Sequence, residues 1–334
     1  MKKKVLILYG GQSAEHEISI LSTQNIIAAL DTKKYAPTAV YISKQGDFLK
    51  TDQKTLKPTK EKLAFTSGGR LIFEKTGKQY LKIDVALPVL HGPNGEDGKL
   101  QGMLDMVQIP YVGAKVLASA VGMDKEVMKR LLEDSNIPVA PYLVSRKNSP
   151  VAYKEAAKKL GKTLYVKPAN MGSSVGVSRV ENQKAYSKAL QEAFKYDTKV
   201  LIEKEMKGRE LEVAILADKA KPVVSVPGEV ITPGKFYSYK EKYSAKSKTT
   251  TQIPAKLTAK QTKVAKEVAL KTFYALESRV MARIDLFLVG EKIYVNEVNT
   301  IPGFTNISMY PKLLQHEGIS YTDLISRLIE SATL

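Results

Sequence analysis

Four polar side chains interrupt a β-rich stretch late in the sequence, RIDLFLVGEKIYVNEVN at residues 283–299. Alternate residues of a strand share one face, so Arg283 lies with Asp285, and Glu297 lies with Asn299. If the turn between the two strands has three residues, Asp285 pairs with Glu297 and Arg283 pairs with Asn299, and all four share one patch. A two-residue turn instead places the two pairs on opposite faces, because a one-residue slip inverts the facing of every side chain.

These four residues could form a metal site. Two carboxylates set directly opposite each other repel unless a cation or a shared proton lies between them. Two carboxylates with an amide oxygen beside them are hard ligands, which suit Mg²⁺ together with substrate phosphates. A solvated hairpin face with an Arg–Asp ion pair explains the same residues without a metal, so the hairpin alone leaves both interpretations open.

A second candidate site is the glycine loop in VKPANMGSSVGVSRV, residues 166–180. Lys167 lies at a predicted strand end, and a Gly-Ser-Ser-Val-Gly loop follows before the next strand. Small residues let backbone N–H groups approach phosphate oxygens closely, and the lysine adds a point charge. The loop is not a Walker A motif, because Gly-Lys-Ser/Thr is missing and a strand follows where a helix is required. A plain hairpin turn would explain the glycines but not Lys167 beside them.

Two further segments place titratable residues in loops after strands. In GGQSAEHEIS, residues 10–19, Glu15 and Glu17 fall at a predicted helix start. Acidic residues there commonly balance the helix dipole, although a carboxylate at a strand's carboxyl end also suits a substrate ammonium group. In LHGPNGEDGKLQG, residues 90–102, four glycines accompany His91, which could be structural or could face a ligand.

A lysine- and tyrosine-rich stretch, PGKFYSYKEKYS at residues 233–244, has the composition of a loop. Such a loop is either ordinary surface or a mobile lid over an active site.

The elements that would position these groups alternate strand, loop and helix in the first third of the chain. VLILYG is followed by the helix ISILSTQNIIAAL, a strand near residues 36–43 and a buried strand within residues 84–92. This order predicts an open parallel α/β sheet with ligands at the carboxyl ends of its strands. The polar residues 44–82 predict a small hairpin near RLIFEKTG.

The rest of the chain predicts two further compact pieces, with boundaries near residues 118 and 210. MDKEVMKRLLEDSN predicts an amphipathic helix with one apolar side, formed by Val127, Met128, Leu131 and Leu132. TLYVKPAN, KVLIEKEM and RELEVAILAD predict strands, and TAKQTKVAKEVALKTFYALE predicts a long helix.

The bulk composition is that of a globular protein. The 334 residues are 43% hydrophobic and 26% charged. No apolar run approaches the roughly 20 residues of a membrane span. The short apolar stretch after Met-Lys-Lys-Lys predicts a first strand rather than a secretory signal. The sequence has no cysteine, which excludes disulfides, thiolate metal sites and a cysteine nucleophile and fits a cytoplasmic protein.

The formal net charge of +18 could indicate nucleic acid, a membrane surface or anionic small substrates as partners. The lysines are spread along the chain, as in KPTKEK at residues 57–62 and KYSAKSK at residues 242–248. The sequence contains no RNA-binding signature, zinc finger or aromatic-interleaved basic stripe. We therefore expect a solvated lysine-rich surface, with no nucleic-acid or membrane partner, and phosphate steering is compatible with it.

Taken together and in order, these segments resemble the D-alanine–D-alanine ligases of the ATP-grasp superfamily. The resemblance covers nearly the whole chain and rests on seven ordered segments: GGQSAEHEISILS, HGPNGEDGKLQGMLD, YVGAKVLASAVGMDK, VKPANMGSSVGVS, LIEKEMKGRELEVAIL, FYSYKEKYS and ARIDLFL with VNEVNTIPGFTNISMYP. It implies a three-domain α/β fold with an N-terminal open parallel sheet (1–118) and two α+β subdomains that sandwich ATP (119–210 and 211–334).

The resemblance also implies a reaction. Enzymes of this family transfer the γ-phosphate of ATP to the carboxylate of a first D-alanine. The amine of a second D-alanine then attacks this acyl phosphate through a tetrahedral intermediate, and the dipeptide serves peptidoglycan precursor synthesis. The implied co-substrate is ATP, the implied metal is two Mg²⁺ ions with Mn²⁺ as a substitute, and the implied assembly is a cytoplasmic homodimer.

The site residues that the resemblance implies fall into three groups. The Mg²⁺ ligands are Asp285, Asn299 and Glu297, which bridges the two ions. Nucleotide contacts come from the phosphate-binding lysines Lys125, Lys167 and Lys242, from Ser174, and from the adenine and ribose pocket of Glu203, Lys204, Met206 and Glu210. D-Alanine contacts come from Glu15 with His91 nearby for the first substrate, Ser308 and Met309 for the second, and Arg283 with the Gly303 amide for the oxyanion. Lys242 is also implied as a substrate-binding residue.

The implied lid closes through a hydrogen-bonded trio of Glu15, Ser173 and Tyr243. Related D-alanine–D-lactate ligases, the alternative on the same fold, usually carry Phe or a different loop at the position of Tyr243. The tyrosine therefore favours an amine over a hydroxyl as the nucleophile. Asn170 and Met171 fall where relatives vary and are assigned no role, and SAKSKTTT after Tyr243 is more basic than the resemblance leads us to expect.

Overall fold

The computed structural model describes residues 1–218, 221–232 and 249–333. The whole predicted lid stretch, residues 233–244 with Lys242 and Tyr243, lies outside these residues. Within the described ranges, no helix is long and apolar enough to cross a membrane.

The first part of the chain forms a seven-stranded sheet with the order β6-β5-β4-β3-β2-β1-β7. Its strands are β1 (Lys3–Gly10), β2 (Tyr35–Ile42), β3 (Phe48–Thr51), β4 (Pro58–Thr66), β5 (Arg70–Phe73), β6 (Gln79–Lys82) and β7 (Val85–Val89). Helices α1 (His16–Ala29) and α2 (Lys99–Met106) pack on this sheet. Helices α3 (Val116–Met123) and α4 (Lys125–Asp134) follow, and α4 packs Met128 and Leu132 into the core of the last part of the chain.

The parallel sheet predicted for this part is confirmed for three strands only. β1 pairs in parallel with β2 and with β7. From β2 to β6 the pairing is antiparallel, so residues 48–82 add four strands to the sheet where the sequence predicted one small hairpin. The signal was weak because β4 buries only one of its nine residues, whereas β1 and β7 are nearly continuous apolar runs.

The central part forms a four-stranded antiparallel sheet with the order β10-β9-β11-β8. Its strands are β8 (Tyr142–Arg146), β9 (Leu164–Pro168), β10 (Ser178–Val180) and β11 (Lys199–Lys204). Helices α5 (Tyr153–Leu160) and α6 (Gln183–Ala193) cover one face, where apolar residues such as Leu160, Val166 and Leu190 form the core.

The last part forms a sheet with the order β15-β14-β12-β16-β17, to which β13 adds on β12. Its strands are β12 (Arg209–Ala217), β13 (Val223–Val224), β14 (Gly228–Ile231), β15 (Thr250–Gln252), β16 (Val280–Val289) and β17 (Lys292–Asn299). Its described helices are α7 (Ala259–Ala275), α8 (Met309–His316) and α9 (Tyr321–Glu330).

One hydrophobic core joins the first and last parts of the chain. Val5 and Ile7 of β1 share it with Leu313 of α8 and with Leu324 and Leu328 of α9. Because these positions are buried, the loop before α8 is held against the carboxyl ends of the parallel strands. The domain boundaries near residues 118 and 210 stay a prediction, and β12 itself begins at Arg209.

The face that α4 buries differs from the predicted one. Val127 is 37% exposed, whereas Lys125 and Lys129 are buried together with Met128 and Leu132. Apolar periodicity alone favoured Val127, but the lysines face inward because an acidic partner lies on the neighbouring sheet, as described below.

Candidate active site

The hairpin of β16 and β17 brings the four polar residues together as predicted, although by a different turn. Val289 pairs with Lys292, so the turn has two residues, the case for which strand alternation alone places the two pairs on opposite faces. The register then shifts beyond Leu286, where Asn296 is the extra residue of a β-bulge. The bulge restores the pairs Asp285–Glu297 and Arg283–Asn299, which are the pairs that strand alternation predicts for a three-residue turn.

Arg283 and Asp285 form a two-point ion pair on this face. The Arg283 Nε and Nη2 atoms each lie 2.7 Å from an oxygen of Asp285. The Asn299 Nδ2 atom donates to Asp285 Oδ2 at 3.1 Å. Burial alone would lower the pKa of Arg283, but Asp285 and Glu212 outweigh it and hold that pKa well above its usual range. The guanidinium therefore stays charged.

The donor set of this face fits Mg²⁺. Asp285, Glu297 and Asn299 supply two carboxylates and an amide on adjacent positions of two paired strands. Oxygen ligands of this kind, completed by substrate phosphates, are the usual surroundings of Mg²⁺ in nucleotide-dependent enzymes. Asp285 is engaged by Arg283, so a metal would have to compete with the guanidinium for it.

A cavity of about 630 Å³ lies between the central and last sheets. This is the size range of sites for nucleotide-sized ligands. Its lining includes Lys125, Lys167, Ser173, Ser174, Glu203, Lys204, Met206, Glu210 and Glu297. Every nucleotide-binding residue predicted from the sequence thus lies on this cavity, except Lys242, which is outside the described residues.

One wall of this cavity carries a buried charge cluster. The Lys167 Nζ atom lies 2.8 Å from Glu203 Oε2, and the Lys129 Nζ atom lies 3.0 Å from Glu203 Oε1. Burial alone would raise the pKa of Glu203, but the two ammonium groups outweigh it and hold that pKa below its usual value. Two cations thus share one anion, which leaves this wall positive and suited to phosphate oxygens.

The glycine loop has an unusual backbone. Ser173 and Ser174 both adopt the left-handed region, with φ of 49° and 59°. L-residues pay strain to adopt it, and such strain is concentrated at ligand-binding segments. The preceding residue, Gly172, lies against Glu15, since a Cβ at this glycine would be 3.0 Å from Glu15 Oε2. The loop therefore reaches from the larger cavity to the start of α1.

A smaller cavity of about 160 Å³ adjoins the larger one, and Lys125, Ser173 and Glu297 line both. Its lining also includes Glu15, His91, Arg283, Asn299, Gly303, Ser308 and Met309. His91 is buried, and its Nδ1 atom lies 3.0 Å from the Ile301 carbonyl oxygen. Burial lowers the pKa of His91, so the imidazole is neutral at pH 7.

The far wall of the smaller cavity is the start of α8. Ser308 is the N-cap residue and Met309 begins the helix. Ser308 Oγ accepts a hydrogen bond from the Thr305 amide at 3.0 Å, which fixes the loop that contains Gly303. A helix N-terminus presents unpaired N–H groups and partial positive charge, so this wall suits a substrate carboxylate.

The structure thus brings together the described residues that the sequence predicted. Asp285 lines neither cavity, but its contacts Arg283 and Asn299 both line the smaller one. Lys242 and Tyr243 lie outside the described residues. The individual roles assigned to these residues stay predictions.

Sequence reasoning missed three charged residues at the site. Lys129 lies one helical turn after Lys125, and that spacing was an available signal. Glu96 follows His91 in the glycine-rich loop and accepts hydrogen bonds from the Gly92 amide at 2.6 Å and the Ile301 amide at 3.1 Å. Burial, with help from Glu15, raises the pKa of Glu96 to about 8. Glu212 pairs across strands with Asp285, which only the strand order reveals.

Comparisons with known proteins show which family the chain resembles. Family models described as the N-terminus and C-terminus of D-ala D-ala ligase match residues 4–114 and 131–330. A D-alanine–D-alanine ligase from Oceanobacillus iheyensis is 43% identical over 99% of this chain and 95% of the relative.

Solved structures give the same result for the fold. The D-alanine–D-alanine ligase from Coxiella burnetii superposes with a TM-score of 0.87 at 34% identity, covering 99% of this chain and 95% of that one. A D-Ala:D-Ser ligase from Enterococcus faecalis superposes with a TM-score of 0.84 at 30% identity, covering 98% and 99%. The chain therefore belongs to the D-alanine–D-alanine ligase family and has its ATP-grasp fold.

Proposed function

We propose that the protein joins two D-alanines to D-alanyl-D-alanine at the expense of ATP, releasing ADP and phosphate, for peptidoglycan precursor synthesis. One observation carries the proposal: a nucleotide-sized cavity and a smaller polar cavity adjoin at Lys125, Ser173 and Glu297. A γ-phosphate at that junction would lie beside an amino acid in the smaller cavity.

The smaller cavity has complementary groups for the first D-alanine. The Glu15 carboxylate offers a partner for the ammonium group. His91, which is neutral because burial lowers its pKa, does not repel that ammonium group. The substrate carboxylate would then point toward the junction, where Lys125 and Arg283 line the wall.

The first chemical step activates this carboxylate, which is a poor electrophile until phosphorylation gives it a leaving group. Lys125 and Lys167 would offset the charge of the phosphates as they approach the carboxylate. We propose that Asp285, Glu297 and Asn299 hold two Mg²⁺ ions with Glu297 between them. These ions would supply charge neutralisation on the phosphate oxygens and orient the transferred group.

The second step forms the peptide bond. Ser308 and Met309, at the start of α8, would hold the carboxylate of the second D-alanine. Its amine attacks the acyl phosphate, the tetrahedral intermediate collapses, and phosphate leaves. Arg283 and the Gly303 amide, which both line the smaller cavity, would stabilise the oxyanion.

Phosphate release from MgATP tests the proposal, with D-alanine, L-alanine, D-alanine plus D-lactate or D-alanine plus D-serine as substrates and product masses as the readout. We expect release that requires D-alanine and a D-alanyl-D-alanine mass. Glu297→Gln protein purified in parallel controls for contaminating ATPases. Release that requires D-lactate or D-serine would assign a different second substrate, and no release with any substrate would refute ligase activity.

The alternative D-alanine–D-lactate activity depends on Tyr243. We expect Tyr243→Phe to raise the share of D-lactate product at low pH, where the competing amine is protonated. An unchanged product ratio would show that selectivity lies elsewhere in the site.

We further propose that the protein is a cytoplasmic homodimer, as its family resemblance implies. Light scattering behind size exclusion would give twice the monomer mass for a dimer.

A further inference from the structure

A third carboxylate continues the row formed by Asp285 and Glu297. Glu212 on β12 pairs directly with Asp285 on β16, and Asp285 pairs with Glu297 on β17. Three acidic side chains thus lie side by side across three neighbouring strands. Arg283 lies within this row, so the four side chains together carry an excess of negative charge.

Arg283 is shared between two of these carboxylates. Its Nε atom lies 2.7 Å from Asp285 Oδ1 and 3.0 Å from Glu212 Oε2. Its Nη2 atom binds the other oxygen of Asp285 at 2.7 Å. The same Asp285 is our proposed metal ligand, and a Mg²⁺ ion needs a carboxylate oxygen that the guanidinium now holds. Each carboxylate oxygen can accept more than one contact, but a positive ion at Asp285 would repel the guanidinium, so metal binding would weaken the hold of Arg283 on Asp285.

We propose that Glu212 is a positioning residue that retains Arg283 when Asp285 turns to the metal. This inference rests on the metal assignment of the proposed function. Glu212 is already in contact with the guanidinium, so Arg283 keeps a counter-charge and its place beside the smaller cavity. Without that counter-charge, Arg283 would have Asp285 as its nearest carboxylate, and the guanidinium would compete more strongly with the ion.

Limited exposure to water strengthens the competition between Arg283 and the metal ion for Asp285. The side chains of Glu212 and Arg283 are each 16% exposed, so water screens their attraction only in part. Glutamine at position 212 would keep the shape and one acceptor oxygen but remove the charge. Both the lost negative charge and the tighter Arg283–Asp285 pair would then weaken cation binding.

The direct test measures Mn²⁺ binding by electron paramagnetic resonance, with the full-length protein, ADP and Mn²⁺ as the probe. We expect Glu212→Gln to raise the Kd for Mn²⁺ about tenfold, which corresponds to the loss of one partly buried charge interaction. Glu212→Asp keeps the charge and should bind Mn²⁺ within about threefold of the unchanged protein.

A matched control is Glu229→Gln. Glu229 forms a two-point ion pair with Arg209 in the same sheet, with distances of 2.8 and 2.6 Å, and lines neither cavity. Its loss should leave the Kd for Mn²⁺ unchanged, and thermal unfolding of each variant checks that it is folded.

Three results would overturn the proposal: Mn²⁺ affinity unchanged in Glu212→Gln, an equal loss in Glu229→Gln, or an equal loss in Glu212→Asp. The readout does not depend on turnover. Failure of the proposed function would instead appear as the absence of dipeptide in the unchanged protein, whatever the Mn²⁺ affinities.

Discussion

Two buried charge clusters, one on the central sheet and one on the last sheet, are built in the same way but carry opposite excess charge. On the central side, Lys129 and Lys167 share the single carboxylate of Glu203. On the other side, Glu212 and Asp285 share the single guanidinium of Arg283, with Glu297 next in the row. The first cluster has a surplus cation and suits phosphate, whereas the second has surplus anions and suits a metal ion.

The difference shows how local charge, rather than net charge, prepares the site. The chain carries a formal charge of +18, yet an acidic row of Glu212, Asp285 and Glu297 lies on the wall opposite the lysines. A metal–nucleotide complex has negative phosphates and a positive ion and therefore complements both walls at once. Each wall's charges are held in place by their own ion pairs, and the Arg283–Asp285 pair is the one that our proposal expects to loosen on metal binding.

The largest effect is expected on the acidic side. Glu297→Gln removes a carboxylate that pairs with Asp285 and lines both cavities. We expect dipeptide formation to fall by about a thousandfold or more, because the phosphates lose their metal neutralisation. Mn²⁺ binding should fall in parallel. Full activity in this variant would remove the metal assignment.

In the basic cluster, Lys129→Met should lower the free energy of unfolding more than the same substitution of a surface lysine does. Lys129 is 0% exposed, and its loss leaves Glu203 with one of its two ammonium partners. We expect a loss of about 3 kcal/mol in the free energy of unfolding, measured with urea. The control Lys159→Met breaks an exposed ion pair with Glu155 and should cost at most about 0.5 kcal/mol. Equal costs for the two variants would contradict a structural role for the buried cluster.

The pH dependence of the free energy of unfolding tests the role of the Glu203 charge in the basic cluster. The pKa of Glu203 is held below its ordinary value of 4.5, so ionised Glu203 stabilises the fold above that pH. This contribution is lost as pH falls through the lowered pKa. The gap in unfolding free energy between the unchanged protein and Glu203→Gln should therefore narrow below about pH 4.5. A gap that is constant from pH 7 to pH 3 would refute the charge account of Glu203.

A smaller effect is expected where the glycine loop meets the first substrate subsite. Gly172→Ala places a Cβ 3.0 Å from Glu15 Oε2, so the carboxylate must shift. We expect the KM for D-alanine to rise about threefold to tenfold with little change in kcat. Gly102→Ala is the control, because its Cβ would make only an ordinary contact of 3.9 Å. An unchanged KM in Gly172→Ala would show that Glu15 does not depend on this loop.

The sequence allowed the hairpin patch to be predicted because strand alternation fixes which residues share a face. Its pairing was right, but through a β-bulge at Asn296 that no local pattern signals. Glu212 escaped prediction because its contact with Asp285 depends on pairing between strands more than 70 residues apart. Lys129 was missed for a similar reason: local periodicity favours apolar residues inside a helix, and only the long-range partner Glu203 explains a buried lysine.

The most direct test of the central claim follows oxygen from D-alanine labelled with ¹⁸O in its carboxylate. If the carboxylate is phosphorylated where the two cavities adjoin, one ¹⁸O passes to the released phosphate for each dipeptide formed. Mass spectrometry of that phosphate should therefore show a single labelled oxygen. Unlabelled phosphate would mean that ATP is cleaved by water, and this would contradict the account of carboxylate activation at the site.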